Sequence, residues 1–151
     1  MVCWGQPYHI TPERLRESVF LSHRWEARSL KQHLKDLRQQ AMYCVVHGGV
    51  DKALRQHSID YLSSLPFDGH AVGGSLGKDK DELIDLLAFV MPRLPQDKPN
   101  HLLGIADGES IDRAVPWGVD TFDSCYPTRV ARHGYCLTPQ GACDGALAHA
   151  S

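Results

Sequence analysis

Met42-Tyr43-Cys44-Val45-Val46-His47-Gly48-Gly49 is a compact apolar run, rich in β-forming side chains, that stops abruptly at a permissive glycine turn. It reads as a buried strand whose C-terminal end is marked by a polar residue and two glycines. The same grammar recurs downstream. Asp68 to Val72 is a short strand closed by Gly73-Gly74, His101-Leu102-Leu103 is a strand ended by Gly104, and Val119 to Phe122 is a fourth that reaches Asp123. Val50 to Ser64, Asp79 to Leu94 and Glu109 to Trp117 carry helical periodicity between them. Upstream, Leu15, Val19, Leu21, Trp25, Leu30, Leu34 and Leu37 recur at mainly helical intervals behind a Thr11-Pro12-Glu13 start signal, which predicts one long helix or a helix pair from Thr11 to Gln40.

Strands alternating with helices over short connections imply parallel β-α units, because a parallel pair needs a crossover between its strands. The chain is therefore α/β, with about four such units. They suit a small open sheet or half of an eight-stranded barrel, and composition alone does not choose. Either way the ligand site lies beyond the C-terminal strand ends, where His47, Gly48, Gly49, Gly73, Gly74, Gly104 and Asp123 fall. Periodicity fades after Gly134, so residues 135–151, small and turn-prone, are expected to form an irregular tail behind a domain at 1–134.

A formal net charge of −2 excludes binding of nucleic acid by overall basicity, so any RNA contact must be local. Cys3, Cys44, Cys125, Cys136 and Cys143 are odd in number and lack framework spacing, which reads as reduced thiols in an intracellular protein. The opening residues carry no secretory pattern, and the apolar stretch around Leu83 to Met91 is interrupted by Asp85 and too short to span a bilayer. The expectation is a cytoplasmic protein with no membrane partner, an organellar compartment being left open.

Asp123 ends an apolar strand and precedes Ser124-Cys125-Tyr126-Pro127-Thr128-Arg129. A carboxylate there can attack a substrate or take a proton. The same position suits a helix N-cap or an ion pair with Arg129 or Arg132, and position alone leaves these open. Glycines at successive strand ends allow close approach of backbone to a flat ligand, or serve ordinary turns. His47 suits a general base, a donor to a ligand edge, or a plain polar strand terminus. No second histidine or cysteine stands at ligand spacing from it, and Cys136, Cys143 and His149 are too widely spaced for a tight knuckle, so no metal site is expected. The basic run Thr128-Arg129-Val130-Ala131-Arg132 can clamp phosphates or form a solvated helix face.

Ala71 to Leu83 (AVGGSLGKDKDEL), Arg93 to Asp107 (RLPQDKPNHLLGIAD) and Gly118 to Gly134 (GVDTFDSCYPTRVARHG), with HRWEARSL from His23 and VVHGGVDKALR from Val45, resemble the queuine-type tRNA-guanine transglycosylases in order, from about Tyr8 to Gly134. The resemblance implies a partial (β/α)8 TIM-type barrel whose last four strands are present. It implies exchange of guanine at the anticodon wobble position of a tRNA with a G-U-N anticodon for a 7-deazaguanine base, queuine or a precursor, through a covalent aspartyl-ribosyl intermediate. Asp123 matches the nucleophile. His47, Gly73 and Gly74 match base-binding positions. Gly104, Ile105, Ala106, Asp107, Gly108, Glu109 and Ser110 match a loop that approaches the tRNA, and Thr128, Arg129, Val130, Ala131 and Arg132 match a segment that seats the wobble nucleotide.

Departures accompany the resemblance. His47 stands where many members have glutamine, and Ser75-Leu76-Gly77-Lys78 replaces a commoner leucine-containing loop. Imidazole offers fewer donors than an amide, which predicts altered base selectivity. The family's general-base aspartate, its companion base-binding aspartate and its structural zinc ligands have no counterpart in this sequence, so no cofactor is expected in this chain. The resemblance leaves room for a homodimer or heterodimer, and for a truncated non-catalytic RNA-binding or assembly subunit.

Overall fold

The computed structural model describes residues 10–37, 39–138 and 141–144. Helix α1 (Pro12–His33) leads into strand β1 (Tyr43–Val46), helix α2 (Lys52–Ser63), β2 (Gly69–Val72), α3 (Lys80–Val90), β3 (Asn100–Leu102), α4 (Gly108–Ala114), β4 (Thr121–Phe122) and α5 (Tyr126–Arg132). Short 3-10 turns, Met91–Arg93 and Val115–Trp117, extend α3 and α4. The four strands form one sheet in the order β1-β2-β3-β4, every neighbour parallel. The chain is thus α/β with a parallel four-stranded sheet, as the alternating pattern predicts.

The helices begin where local chemistry tells them to. Thr11 caps α1, with Pro12 in its first turn. Asp51, Asp79 and Asp107 cap α2, α3 and α4, each accepting amide hydrogens of the first turn. Helix α1 stops at His33, short of Gln40, and Leu34 and Leu37 beyond it are exposed.

One sheet face carries Cys44, Val46, Val72 and Leu102, which join Ile59 and Leu62 of α2 and Leu83, Leu86, Leu87 and Val90 of α3 in the core. Burying each such aliphatic side chain contributes about 1.5–3 kcal/mol. All of β2 is buried, as expected of an inner parallel strand.

β1 lies at a sheet edge, yet its outward amides are not bare. Val46 O accepts from Gly73 N on the β2 side, so the alternate amides of Val45 and His47 point away from β2. Glu26 Oε2 of α1 accepts from Val45 N at 2.9 Å, and Ser58 Oγ of α2 accepts from His47 N at 3.2 Å. Side chains thus take two of the outward amides at this edge.

The expected irregular tail is corrected in part. Strands β5 (Tyr135–Thr138) and β6 (Gly141–Asp144) pair antiparallel as a hairpin, with Cys136 opposite Cys143. Tyr135, Cys136, Leu137 and Thr138 are β-formers in alternating exposure, and Thr138 Oγ1 donates to Gly141 O across the turn. The remainder of the expected tail, from residue 145, lies outside the described residues.

Candidate functional site

Strand pairing places His101 directly opposite Thr121 and Leu102 opposite Phe122. With period-two alternation, His101, Thr121 and Asp123 share one face of the sheet at its C-terminal edge, opposite the core face. Asp123 Oδ1 accepts from Gly104 N at 3.0 Å and lies 3.0 Å from His101 Nε2. The other ring nitrogen, Nδ1, is 2.8 Å from Thr121 Oγ1. Oδ2 of Asp123 has no hydrogen-bond partner among the described residues, and its side chain is 59% exposed.

The structural alternatives for Asp123 do not hold. The residue capping α5 is Cys125, and Ser124 Oγ takes the Tyr126 amide, so Asp123 is not the cap. Among the described residues its side-chain partner is His101, not Arg129 or Arg132. The carboxylate is held by one oxygen and presented by the other.

The glycines divide by cause. A Cβ on Gly73 would lie 2.6 Å from Val45 Cγ1 and 2.7 Å from Leu103 Cδ1, so glycine there is required by packing across the sheet face. Gly104 adopts φ +76° with open space where a Cβ would project, so its requirement is conformational. Gly74 and Gly104 line a cavity of about 420 Å³ between the loops that follow β2 and β3, with Ser75, Lys78, Leu103 and Ile105. Asp123 does not line it, but bonds to the amide of Gly104, which does. A larger cleft, about 540 Å³, opens between α1 and α2 around Arg16, Phe20 and His57, away from Asp123.

His47 does not stand open to a ligand. It is 7% exposed, with Nε2 3.9 Å from Glu26 Oε1. Burial, with Arg55 and His23 nearby, lowers its pKa to about 4, so the ring is neutral near pH 7. His23, also lowered to about 4 by burial and by His57, approaches Ser58 Oγ at 2.9 Å. Burial raises Glu26 to about 7 against the opposing hydrogen bonds from Val45 and Ser22.

Arg55 is fully buried and donates to three carbonyls: Nε to Gly49 O at 2.8 Å, Nη1 to Val46 O at 2.6 Å and Nη2 to Ser75 O at 2.9 Å. It ties the loop after β1 to the loop after β2. Burial lowers its pKa to about 9, which leaves it charged near neutrality.

The segment from Gly104 to Ser110 is the turn into α4. Asp107 caps the helix and pairs with Lys80 at 3.1 Å, and Glu109 pairs with Lys80 and Arg113. Burial pushes the Asp107 carboxyl up, but bonds from Ser110 and Lys80 outweigh it and hold the pKa below the usual value. Ser110 is buried, whereas Gly104, Gly108 and Glu109 are exposed and Ile105 and Ala106 half-buried. Thr128, Arg129, Val130, Ala131 and Arg132 lie in α5, all exposed except half-buried Val130. The basic run is thus a solvated helix face one turn beyond Asp123.

Sequence reading missed His101, Thr121, Glu26 and Arg55. The available signal for His101 was a polar residue inside an apolar strand two positions before Leu103, in phase with the rim. The partner Thr121 becomes visible only once the register of β3 and β4 is known. Among the described residues no three histidine, cysteine, aspartate or glutamate side chains converge on a metal-holding arrangement. Cys136 and Cys143 approach to 3.2 Å between sulfurs, and His149 lies outside the described residues. No helix among the described residues is long and apolar enough to cross a membrane.

A model of the queuine tRNA-ribosyltransferase family matches residues 1–149. The chain is 62% identical over 135 residues to the queuine tRNA-ribosyltransferase of Protochlamydia amoebophila (strain UWE25), covering 89% of this chain and 35% of that protein. It is 43% identical over 135 residues to the protein of the same name from Chlamydia felis (strain Fe/C-56), covering 89% of this chain and 36% of that one. The chain therefore spans 35–36% of the length of these curated relatives. With the family model matching residues 1–149, and 62% identity over the 135 residues aligned to one relative, the chain belongs to the queuine tRNA-ribosyltransferase family.

Proposed function

We propose that this chain supplies the nucleophile-bearing part of a tRNA-guanine transglycosylase, its four parallel strands being the last four of a (β/α)8 barrel. The supporting observation is the Asp123 carboxylate at the end of β4, with Oδ1 anchored by Gly104 N and His101 and Oδ2 unengaged. In the exchange, Oδ2 bonds to C1′ of the wobble ribose while the C1′–N9 bond breaks and guanine departs with the electron pair, protonated from solvent. N9 of a 7-deazaguanine base then bonds to C1′ and loses its proton to solvent as the C1′–Oδ2 bond breaks and the carboxylate leaves with its electron pair. The substrate RNA is a tRNA with a G-U-N anticodon. Glycine backbone at the cavity beside Gly104 suits a flat base, and Arg129 and Arg132 on α5 suit its flanking phosphates. Chain pairing with a second copy or another subunit completes the barrel in this reading.

The test is incubation of the purified chain with unmodified tRNA bearing a G-U-N anticodon and a 7-deazaguanine base, followed by denaturing electrophoresis. A protein-RNA adduct, absent from Asp123→Asn, is the expected result. A folded chain that binds the tRNA equally well before and after Asp123→Asn and never forms an adduct would instead be an RNA-binding or assembly subunit.

A further inference from the structure

We propose that His101 is a positioning residue for the Asp123 carboxylate, fixed in one tautomer by Thr121, and that with the Gly104 amide it stabilises this carboxylate as it leaves the sugar. The inference rests on Asp123 as the nucleophile of the proposed exchange.

Both ring nitrogens of His101 are engaged. A carboxylate only accepts, so Nε2, 3.0 Å from Asp123 Oδ1, carries a proton. In the neutral ring Nδ1 is then the acceptor, and Thr121 Oγ1, 2.8 Å away, donates to it. The register that sets His101 opposite Thr121 builds this chain from adjacent strands, so no flexible loop is involved in aiming the ring. The His101 side chain is 21% exposed against 59% for Asp123, so the ring is the sheltered member and the carboxylate the presented one.

Two donors therefore converge on Oδ1, and none on Oδ2 among the described residues. In the first half of the exchange Oδ2 bonds to C1′, the C1′–N9 bond to guanine breaks, and Oδ1 becomes an ester carbonyl with little charge. In the second half N9 of the incoming base bonds to C1′ and releases its proton, while the C1′–Oδ2 bond breaks and its electron pair returns to the carboxylate. That charge is shared with Oδ1, where His101 Nε2–H and Gly104 N–H already point. Donors preorganised toward developing charge assist the step in which the charge develops. The same bonds stabilise the free carboxylate before attack, so they do not speed the first half. The asymmetry separates this role from a general structural one, which would slow both halves alike.

The test uses the full chain and two readouts. Nitrogen-15 NMR of the imidazole in the free protein, recorded at a pH where the ring is neutral, should show its proton on Nε2, and Asp123→Asn should move that resonance. A ring protonated on Nδ1, or indifferent to Asp123→Asn, overturns the positioning. Rapid-quench measurement then follows formation of the RNA adduct and its decay on adding 7-deazaguanine base. His101→Phe should lengthen adduct lifetime by roughly tenfold or more, a clearly larger loss than it causes in adduct formation, and His101→Gln, which restores an N–H donor, should recover most of the loss. Equal slowing of both halves, or a glutamine variant no better than phenylalanine, overturns the leaving-group role. If the wild-type chain forms no adduct at all, transfer by this chain fails as a reading and the leaving-group role falls with it. In that case the tautomer measurement still decides the positioning of Asp123 separately.

Discussion

The guanidinium of Arg55, buried in α2, donates from Nη2 to the carbonyl of Ser75 at 2.9 Å, joining a helix to a loop twenty residues downstream. With its bonds to Gly49 and Val46, it makes the loops after β1 and β2 one body. Replacing Arg55 with methionine keeps the apolar volume and strips this donor from the Gly49 and Ser75 carbonyls, while Val46 O keeps its bond from Gly73 N, at a cost on the order of 2 kcal/mol or more. Lysine, a single-point donor, should recover less than half of that, because it cannot span the three acceptors. Urea unfolding midpoints of the two variants check this. A wild-type midpoint for Arg55→Lys would remove the role given to the planar fork.

Gly73 and Gly104 should respond differently to alanine. At Gly73 the added Cβ meets Val45 Cγ1 and Leu103 Cδ1 at 2.6 and 2.7 Å, so Gly73→Ala forces the sheet face apart and costs roughly 1–3 kcal/mol. The double variant Gly73→Ala with Val45→Ala should regain part of the loss. Gly104→Ala meets no atom and carries only the penalty of φ +76°, about 1 kcal/mol. Thermal unfolding of the three variants gives the comparison, and equal losses at the two glycines would contradict the packing account of Gly73.

The cluster formed by His23, His47 and Glu26 sets a pH dependence with opposing signs. Both histidines have folded pKa values near 4, below the ordinary 6.5, so their contribution is complete above about pH 6.5 and is lost as pH falls toward 4. Glu26, raised to about 7, acts the other way. Its protonated form favours the fold below about pH 4.5, and that contribution is lost as pH rises through 7. Two groups outweigh one, so stability should fall on acidification from pH 7 to 4. Glu26→Gln removes the opposing group and should steepen that fall. Melting temperatures across this range measure it, and a shallower acid loss in Glu26→Gln would reverse the assignment.

Arg129 and Arg132 project from α5 into solvent just beyond Asp123. If they meet phosphates, Arg129→Ala and Arg132→Ala each lower the log-log salt slope of tRNA binding by about 0.7 to 1. Asp123→Asn should leave that slope unchanged, since it removes a nucleophile and no cation. Filter binding over a salt series distinguishes the two, and arginine variants with the wild-type slope would return α5 to a solvated face.

The order of elements and the position of Asp123 were determined by sequence alone. Apolar runs ending in glycine and helical spacing between them are local signals, so four parallel strands and a carboxylate at the last strand end follow from neighbours in the chain. The hairpin at Tyr135–Thr138 and Gly141–Asp144 was also written locally, as alternating β-formers around a turn, but the surrounding small residues masked it. Tertiary structure alone decided which partners those residues meet. The His101-Thr121 pairing depends on a strand register set across twenty residues, and the burial of His47 depends on α1 folding back so that Glu26 covers the edge of β1. Gly73 is required by the side chains of Val45 on β1 and Leu103 just past β3, not by its own turn. Contacts between distant segments leave no periodic mark in sequence, because each depends on where the rest of the chain has already packed.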